Sequence, residues 1–274
     1  MSNGVTDALT GQVLRQQYAS ATNLAKRQAI FEFRDPARCR GVHASQRVKL
    51  TGTEDVLDAG CGNGMWMQTL LVGRVRSVVG LDLSEGMLGD ARAGLGGSVP
   101  LVVGDVQHLP FADCSFDVVL AFWMLYHVPD LPAALLDFRR LLRPQGRLVA
   151  STNSTVRRAT DDVLVEALEQ TVGRRVDDWP PTWGFSAENG EEVLAQVFGR
   201  VERQDYVAAF SIPTPEPILG YFESLRGPLE ATLGQPLDWA VVEDHARHQL
   251  EEVISSEGVF HTEIATASFV CSAD

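Results

Sequence analysis

The chain has 274 residues, 45% of them hydrophobic and 22% charged, with a formal net charge of −13. That length suits one large domain, or a domain with an inserted cap, and leaves ample apolar surface for a core. The acidic balance argues against nucleic acid or an anionic membrane surface as partner, because both repel a negative protein.

Cys39, Cys61, Cys114 and Cys271 are scattered, with no Cys-x-x-Cys pair. Free thiols in a reducing cytoplasm are expected, not disulfides or a metal site. The start, Met1 to Gln17, is polar and lacks an apolar signal core, and the longest apolar run, Val118 to Val128, is too short to span a bilayer. The expectation is a soluble cytoplasmic protein that works away from membranes. Nothing in the pattern speaks to oligomeric state.

In chain order, Gln12 to Phe33 reads as a helix, with Tyr18, Leu24 and Ile30 recurring among polar residues. Asp35-Pro36 breaks it, and a second helix is expected over Arg38 to Lys49. Residues 1–52 then form an N-terminal helical flap. Asp55 to Leu57 is a strand, Gly64 to Leu71 a helix, and Ser77 to Leu81 a fully apolar strand of the buried parallel kind. Ser84 caps a helix carrying Met87 and Leu88. Strands follow at Pro100 to Val103, Phe116 to Ala121 and Arg147 to Ser151, with a helix over His127 to Leu142. Strands alternating with helices at this spacing mean a doubly wound, Rossmann-like α/β fold.

Beyond Thr152 the rhythm changes. Helices are expected over Thr160 to Val172, Glu191 to Phe198 and Leu237 to Ile254, and short cap helices over Pro213 to Leu233. Val201 to Ile212 and Phe260 to Val270 alternate like an antiparallel edge pair. The division is 53–155 for a ligand-binding core and 156–274 for the rest of the sheet with its cap.

The chemistry concentrates in Val56-Leu57-Asp58-Ala59-Gly60-Cys61-Gly62-Asn63-Gly64. A strand, a loop of alternate glycines and a helix N-terminus make a seat for a small polar ligand. Asp58 at its edge favours a cation, such as an ammonium, and would repel a phosphate. Asp82 ends the next strand, where a carboxylate can accept from both hydroxyls of a ribose; the alternative is a helix-capping aspartate. Asp105, after Gly104, repeats the arrangement and can accept from an adenine amino group, with the Val106 N–H serving a ring nitrogen. Its alternative is a solvated loop. Leu83 and Met87 are apolar walls for the base, or plain core. Cys61 is a conceivable nucleophile, but the backbone of its loop matters more than its thiol.

With Gly80-Leu81-Asp82-Leu83-Ser84, Gly104-Asp105, Pro110 to Asp117 and Leu142 to Leu148 in the same order, the sequence resembles the class I S-adenosylmethionine-dependent methyltransferases of the small-molecule, UbiE-like type. The resemblance covers about Asp55 to Ser151. It implies a seven-stranded, mainly parallel sheet with an antiparallel last strand, and S-adenosyl-L-methionine as cofactor. It places Asp58 near the methionine ammonium, with Gly60, Cys61 and Gly62 along the methionine part. Asp82 falls on the ribose, Asp105 with Val106 on the adenine, and the Ala121–Phe122 backbone on the methionine side. Tyr18, on the N-terminal flap, is a candidate to close over the cofactor; the alternative is core packing.

His127, after the fourth of these strands, is the candidate general base; the alternative is a packing histidine. Trp179, Trp183, Phe185, Tyr221, Phe222 and Trp239 are together candidate walls of a lipophilic or ring-containing acceptor site, the alternative for each one singly being core packing. The function so implied is methyl transfer to a small molecule, a secondary metabolite or quinone-like ring. The rivals are an NAD-dependent oxidoreductase, which the glycine spacing disfavours, and a non-catalytic cofactor-binding regulator.

Overall fold

The computed structural model describes residues 22–177, 179 and 184–272. The reading of Tyr18 and of Trp183 lies outside the described residues, as does the start of the first helix. What is described of that helix is α1, Thr22–Gln28, followed by a 3-10 turn at Ala29–Phe33.

The predicted second helix is not there. Arg40–Gly41 is instead a two-residue strand, β1, and Ala44–Arg47 a 3-10 turn. Gly41 explains the difference: it sits at φ +89°, and a Cβ there would lie 2.0 Å from the Asp205 carbonyl oxygen. Only glycine lets the two backbones approach so closely.

The central sheet is built from β2 (Asp55–Ala59), β3 (Ser77–Asp82), β4 (Leu101–Val103), β5 (Phe116–Phe122), β6 (Leu142–Asn153), β7 (Arg200–Ile212) and β8 (Phe260–Ser272), with β1 on one edge. The order is β1-β7-β8-β6-β5-β2-β3-β4. Strands β2 to β6 run parallel, β8 runs antiparallel to both β6 and β7, and β1 pairs antiparallel with β7. The chain builds outward from β2 through β3 and β4, then returns to β2's other side with β5. Strand order therefore reverses between β2 and β5, and a crevice opens there at the strands' C-terminal ends.

Both faces of the sheet are covered, as the apolar runs require. On one face Leu57, Ala59, Val119, Ala121, Leu148 and Phe269 pack against α3 (Leu131–Leu141), chiefly its Leu135 and Phe138. On the other, Val56, Val118, Leu120, Phe122 and Val149 meet Met67, Leu71 and the α2 helix (Glu85–Leu95). Helix α3 starts later than the sequence suggests. Asp130 caps it by accepting the Ala133 N–H at 3.0 Å, and Pro132 fits the first turn. Strand β6 starts earlier, at Leu142, so that Pro144-Gln145-Gly146 lies within it as an irregularity, with register slipping between Phe116 and Val118 on β5. The residues after the glycine loop close as a π-turn at Met67–Leu71, with Val72 N–H on the Met67 carbonyl.

Strands β7 and β8 pair over thirteen residues each, from Arg200 with Ser272 to Ile212 with Phe260, whereas β6 meets β8 only from Thr266 onward. The outer pair therefore projects past the C-terminal edge of β6 as an arm. Phe210, Ile212 and Phe260 on this arm bury against α4 (Ala159–Val172), α6 (Glu216–Glu223), α7 (Arg226–Leu233) and α8 (Trp239–Glu257). A shorter helix, α5 (Gly190–Ala195), packs Leu194 under the sheet. The arm thus carries a helical cap on the same side as the crevice. Helix α1 ties cap to core: Arg27 donates to Ser224 Oγ at 3.1 Å, Lys26 pairs with Glu223 at 2.8 Å, and Gln28 Nε2 reaches Met65 Sδ at 3.4 Å.

Candidate active site

Parallel pairing sets Asp58 beside Gly80 on β3 and Leu120 on β5, so its carboxyl shares a face with Val56, Leu120 and Phe122. Asp58 is 2% exposed, and its Oδ2 has no hydrogen-bond partner. A buried carboxylate without a counter-ion is costly, and the group responds by holding its proton. Burial, with the Asp82 charge beside it, pushes the Asp58 carboxyl up to about 7.

Asp82 ends β3. One oxygen accepts the Gly62 N–H at 2.8 Å and the other the Ser84 N–H at 2.8 Å. These bonds splice the glycine bend to the next strand, and Gly60 and Cys61 N–H both meet the Leu81 carbonyl, at 2.7 and 3.0 Å. Burial raises the Asp82 carboxyl, the backbone donors opposing it. The capping role falls to Ser84, whose Oγ accepts the Met87 N–H at 3.2 Å.

The three glycines of the bend differ in purpose. All take positive φ, but a Cβ on Gly60 would strike Met124 at 2.8 Å, and one on Gly64 would crowd Leu95 at 3.1 Å. A Cβ on Gly62 would meet nothing within 4 Å. Gly60 and Gly64 are bare for packing, and Gly62 alone faces open space. Cys61 is buried, and burial with the two aspartates pushes its thiol far above the usual range, so it is no nucleophile.

Asp105 lies beyond Gly104, whose N–H meets the Asp82 carbonyl at 3.0 Å. Its carboxylate takes the Gln107 side-chain amide at 3.0 and 2.9 Å and the Gln107 N–H at 2.9 Å. Gln107 Oε1 in turn accepts the Asp130 N–H at 2.9 Å, tying this loop to the start of α3. Leu83 is 47% exposed, an open apolar side chain beside Asp82, whereas Met87 is 2% exposed and packs inside. Val106, Ala121 and Phe122 are buried as side chains, leaving only their backbones to reach a ligand.

His127 sits in a 3-10 turn, Leu125–His127, against Tyr126 with ring centroids 4.3 Å apart. Desolvation and the charge of Arg27 hold its imidazole down at about 3, so the ring is neutral and weakly basic. The cap aromatics named from sequence are mostly core: Phe185, Phe222 and Trp179 are buried, and the Tyr221 hydroxyl accepts from Arg158 at 2.9 Å.

The sequence reading passed over a second group at this end of the sheet. Trp66, Trp123, His43 and Tyr206 meet there, Trp66 lying 5.5 Å from Phe122 and 5.4 Å from Trp123. Trp123 takes φ +51°, a conformation costing a bulky residue roughly 1–3 kcal/mol. No local pattern announces this group, because its members come from four separated segments. Two open hollows of about 370 Å³ lie at the opposite, N-terminal edge, one lined by Lys49 and Arg74 and the other by Arg76 and Arg147. Among the described residues no His, Cys, Asp and Glu cluster could hold a metal ion, and no helix is long and apolar enough to cross a membrane.

Residues 57–150 match the family model described as a methyltransferase domain. Methyltransferase GfsG of Streptomyces halstedii is 35% identical over 129 residues, 45% of this chain and 46% of that protein. Demethylmenaquinone methyltransferase of Staphylococcus aureus strain MRSA252 is 41% identical over 102 residues, 36% of this chain and 42% of that one. The chain thus matches less than half the length of these curated relatives. A solved SAM-dependent methyltransferase of Thermotoga maritima superposes with a TM-score of 0.52 at 16% identity, over 94% of this chain and 99% of that one, a likeness of fold. Residues 57–150 are thus similar to a methyltransferase domain, set on a Rossmann-like sheet.

Proposed function

We propose that this protein transfers a methyl group from S-adenosyl-L-methionine to a small-molecule acceptor. The observation that carries the reading is Asp58: a buried carboxyl with an unpartnered oxygen at the reversal of strand order. Such a group calls for a cation with N–H donors, and the methionine ammonium supplies one. The remaining residues fit the same ligand. Asp82 spends one backbone bond per oxygen and keeps lone pairs for two ribose hydroxyls. Leu83 offers an apolar wall to the base. Asp105 would accept the adenine amino group in place of part of its bonding to Gln107. Gly62 leaves the methionine part unobstructed.

Bound there, the cofactor supplies a sulfonium methyl that is electrophilic without further activation. The protein's task is to hold the acceptor in line with it and keep water away. Alignment of this kind is worth roughly 7–11 kcal/mol. A general base adds about 10²–10⁴-fold, the lesser term. His127, neutral and weakly basic, contributes orientation more than proton removal. The relative named for demethylmenaquinone methylation supports a quinone-like ring as acceptor. Incubation with methyl-labelled S-adenosylmethionine and a panel of hydroxylated ring compounds tests the reading. Label should pass to an acceptor, and no transfer across the panel despite cofactor binding would favour a regulator instead.

A further inference from the structure

The aromatic group beside the crevice has the features of a binding wall. The Trp66 and Trp123 indoles are stacked, 16° from parallel. His43 lies 5.8 Å from Trp66 and 6.1 Å from Trp123, and stands edge-on to Tyr206 at 5.1 Å. All four rings are half-buried, so each keeps part of its surface open. The group adjoins the cofactor crevice on two sides. Trp66 packs on Phe122, which shares the Asp58 face of the sheet, and Met124, next to Trp123, rests on Gly60.

Three details go beyond ordinary packing. Trp123 is held in its unfavourable conformation by two bonds: its N–H to the Ser151 carbonyl at 2.8 Å and its Nε1–H to Asn153 Oδ1 at 2.9 Å. Strain kept in place this way marks functional sites. His43 Nδ1 accepts the Ser45 backbone N–H at 3.2 Å, so the neutral ring carries its proton on Nε2, which has no partner among the described residues. Arg34, whose backbone bridges to Phe210 of β7, carries a charge that reaches both Tyr206 and His43, yet it forms no ion pair among the described residues, in a chain of net charge −13.

We propose that His43, Trp66, Trp123 and Tyr206 form the acceptor wall, and that the acceptor is a flat conjugated ring bearing an acidic hydroxyl or carboxylate, which Arg34 pairs. The stacked indoles supply a platform for the ring. The His43 Nε2–H and the Arg34 guanidinium supply donors for its acidic group, and a guanidinium matches a carboxylate or phenolate well. The assignment rests on the methyl-transfer reading for the word acceptor, but the wall is a ring site in either case.

Equilibrium dialysis in saturating S-adenosylhomocysteine tests it, with 1-hydroxy-2-naphthoate, 2-methoxynaphthalene and cyclohexanecarboxylate as probes. The naphthoate should bind tightest. Arg34 is exposed, so Arg34→Gln leaves the fold intact; it should weaken the naphthoate about tenfold and the neutral ether by less than about twofold. Trp66→Leu should weaken both rings and spare S-adenosylhomocysteine. Equal naphthoate affinity in wild type and Arg34→Gln, or no preference for it over cyclohexanecarboxylate, would overturn the proposal. Naphthoate binding with these losses but without S-adenosylhomocysteine binding would sustain the wall and overturn methyl transfer. The reverse result would do the opposite.

Discussion

At the scale of single residues, Asp58 and His127 are displaced in opposite directions by the same cause, desolvation. For Asp58 the folded carboxyl titrates near 7, whereas the unfolded one titrates near about 4. The folded state therefore binds the extra proton between those values. The stability this carboxyl contributes is present below about pH 4 and is lost as pH rises through about 7. Chemical denaturation of the free protein should show that loss, and Asp58→Asn should remove it; equal slopes in both proteins would put the charge elsewhere. Ligand binding runs the other way, because the ammonium needs the ionised form. Affinity for S-adenosylhomocysteine should rise about tenfold per pH unit below 7 and level off above it. For His127, weak basicity means His127→Gln should lower kcat by less than about 10²-fold, the bottom of the general-base range. A larger loss with unchanged KM, and a lost limb in the pH–rate profile, would make it a true base.

At the scale of elements, the glycine bend is a splice whose three bare positions do different work. Gly62→Ala puts a methyl into open space and adds left-handed strain of about 1–2 kcal/mol. It should cost no more stability than that strain, and much cofactor affinity. Gly60→Ala strikes Met124 and should lower the melting temperature as well. If the two variants lose stability equally, Gly62 is also a packing glycine. The bend was legible in the sequence because its signals are local: an apolar run, alternate glycines and an aspartate at each strand end. The same held for β7 and β8, whose alternation announced an antiparallel pair. What failed to show was pairing set by distant chain. Arg38 to Lys49 has a helical composition, but Gly41 is needed where β1 crosses the Asp205 carbonyl. The aromatic wall was hidden for the same reason. Composition drew attention to the cap aromatics, while Phe185 is spent against Phe269 and Phe222 in the cap core. A single residue type carries no mark of which ring is buried; only the packed fold assigns that.

At the scale of the whole molecule, two constructions converge on one edge of the sheet. The parallel strands deliver Asp58, Asp82 and Asp105 to neighbouring C-terminal ends. The arm of β7 and β8 carries the cap over the same end, and α1 straps cap to core through Ser224 and Met65. The acidic net charge suits the proposed cation-bearing cofactor, and the charges of Arg34 and Arg27 act on His43 and His127 respectively. A ligand bridging these parts should stabilise all of them together, by about 2.7 kcal/mol at a hundredfold excess over Kd. Calorimetric titration of S-adenosylhomocysteine into wild type and Asp82→Ala is the most direct measurement. One site per chain in the wild type, with affinity largely lost in the variant, is the expected result. Undiminished binding by Asp82→Ala, or no binding by the wild type, would contradict the account.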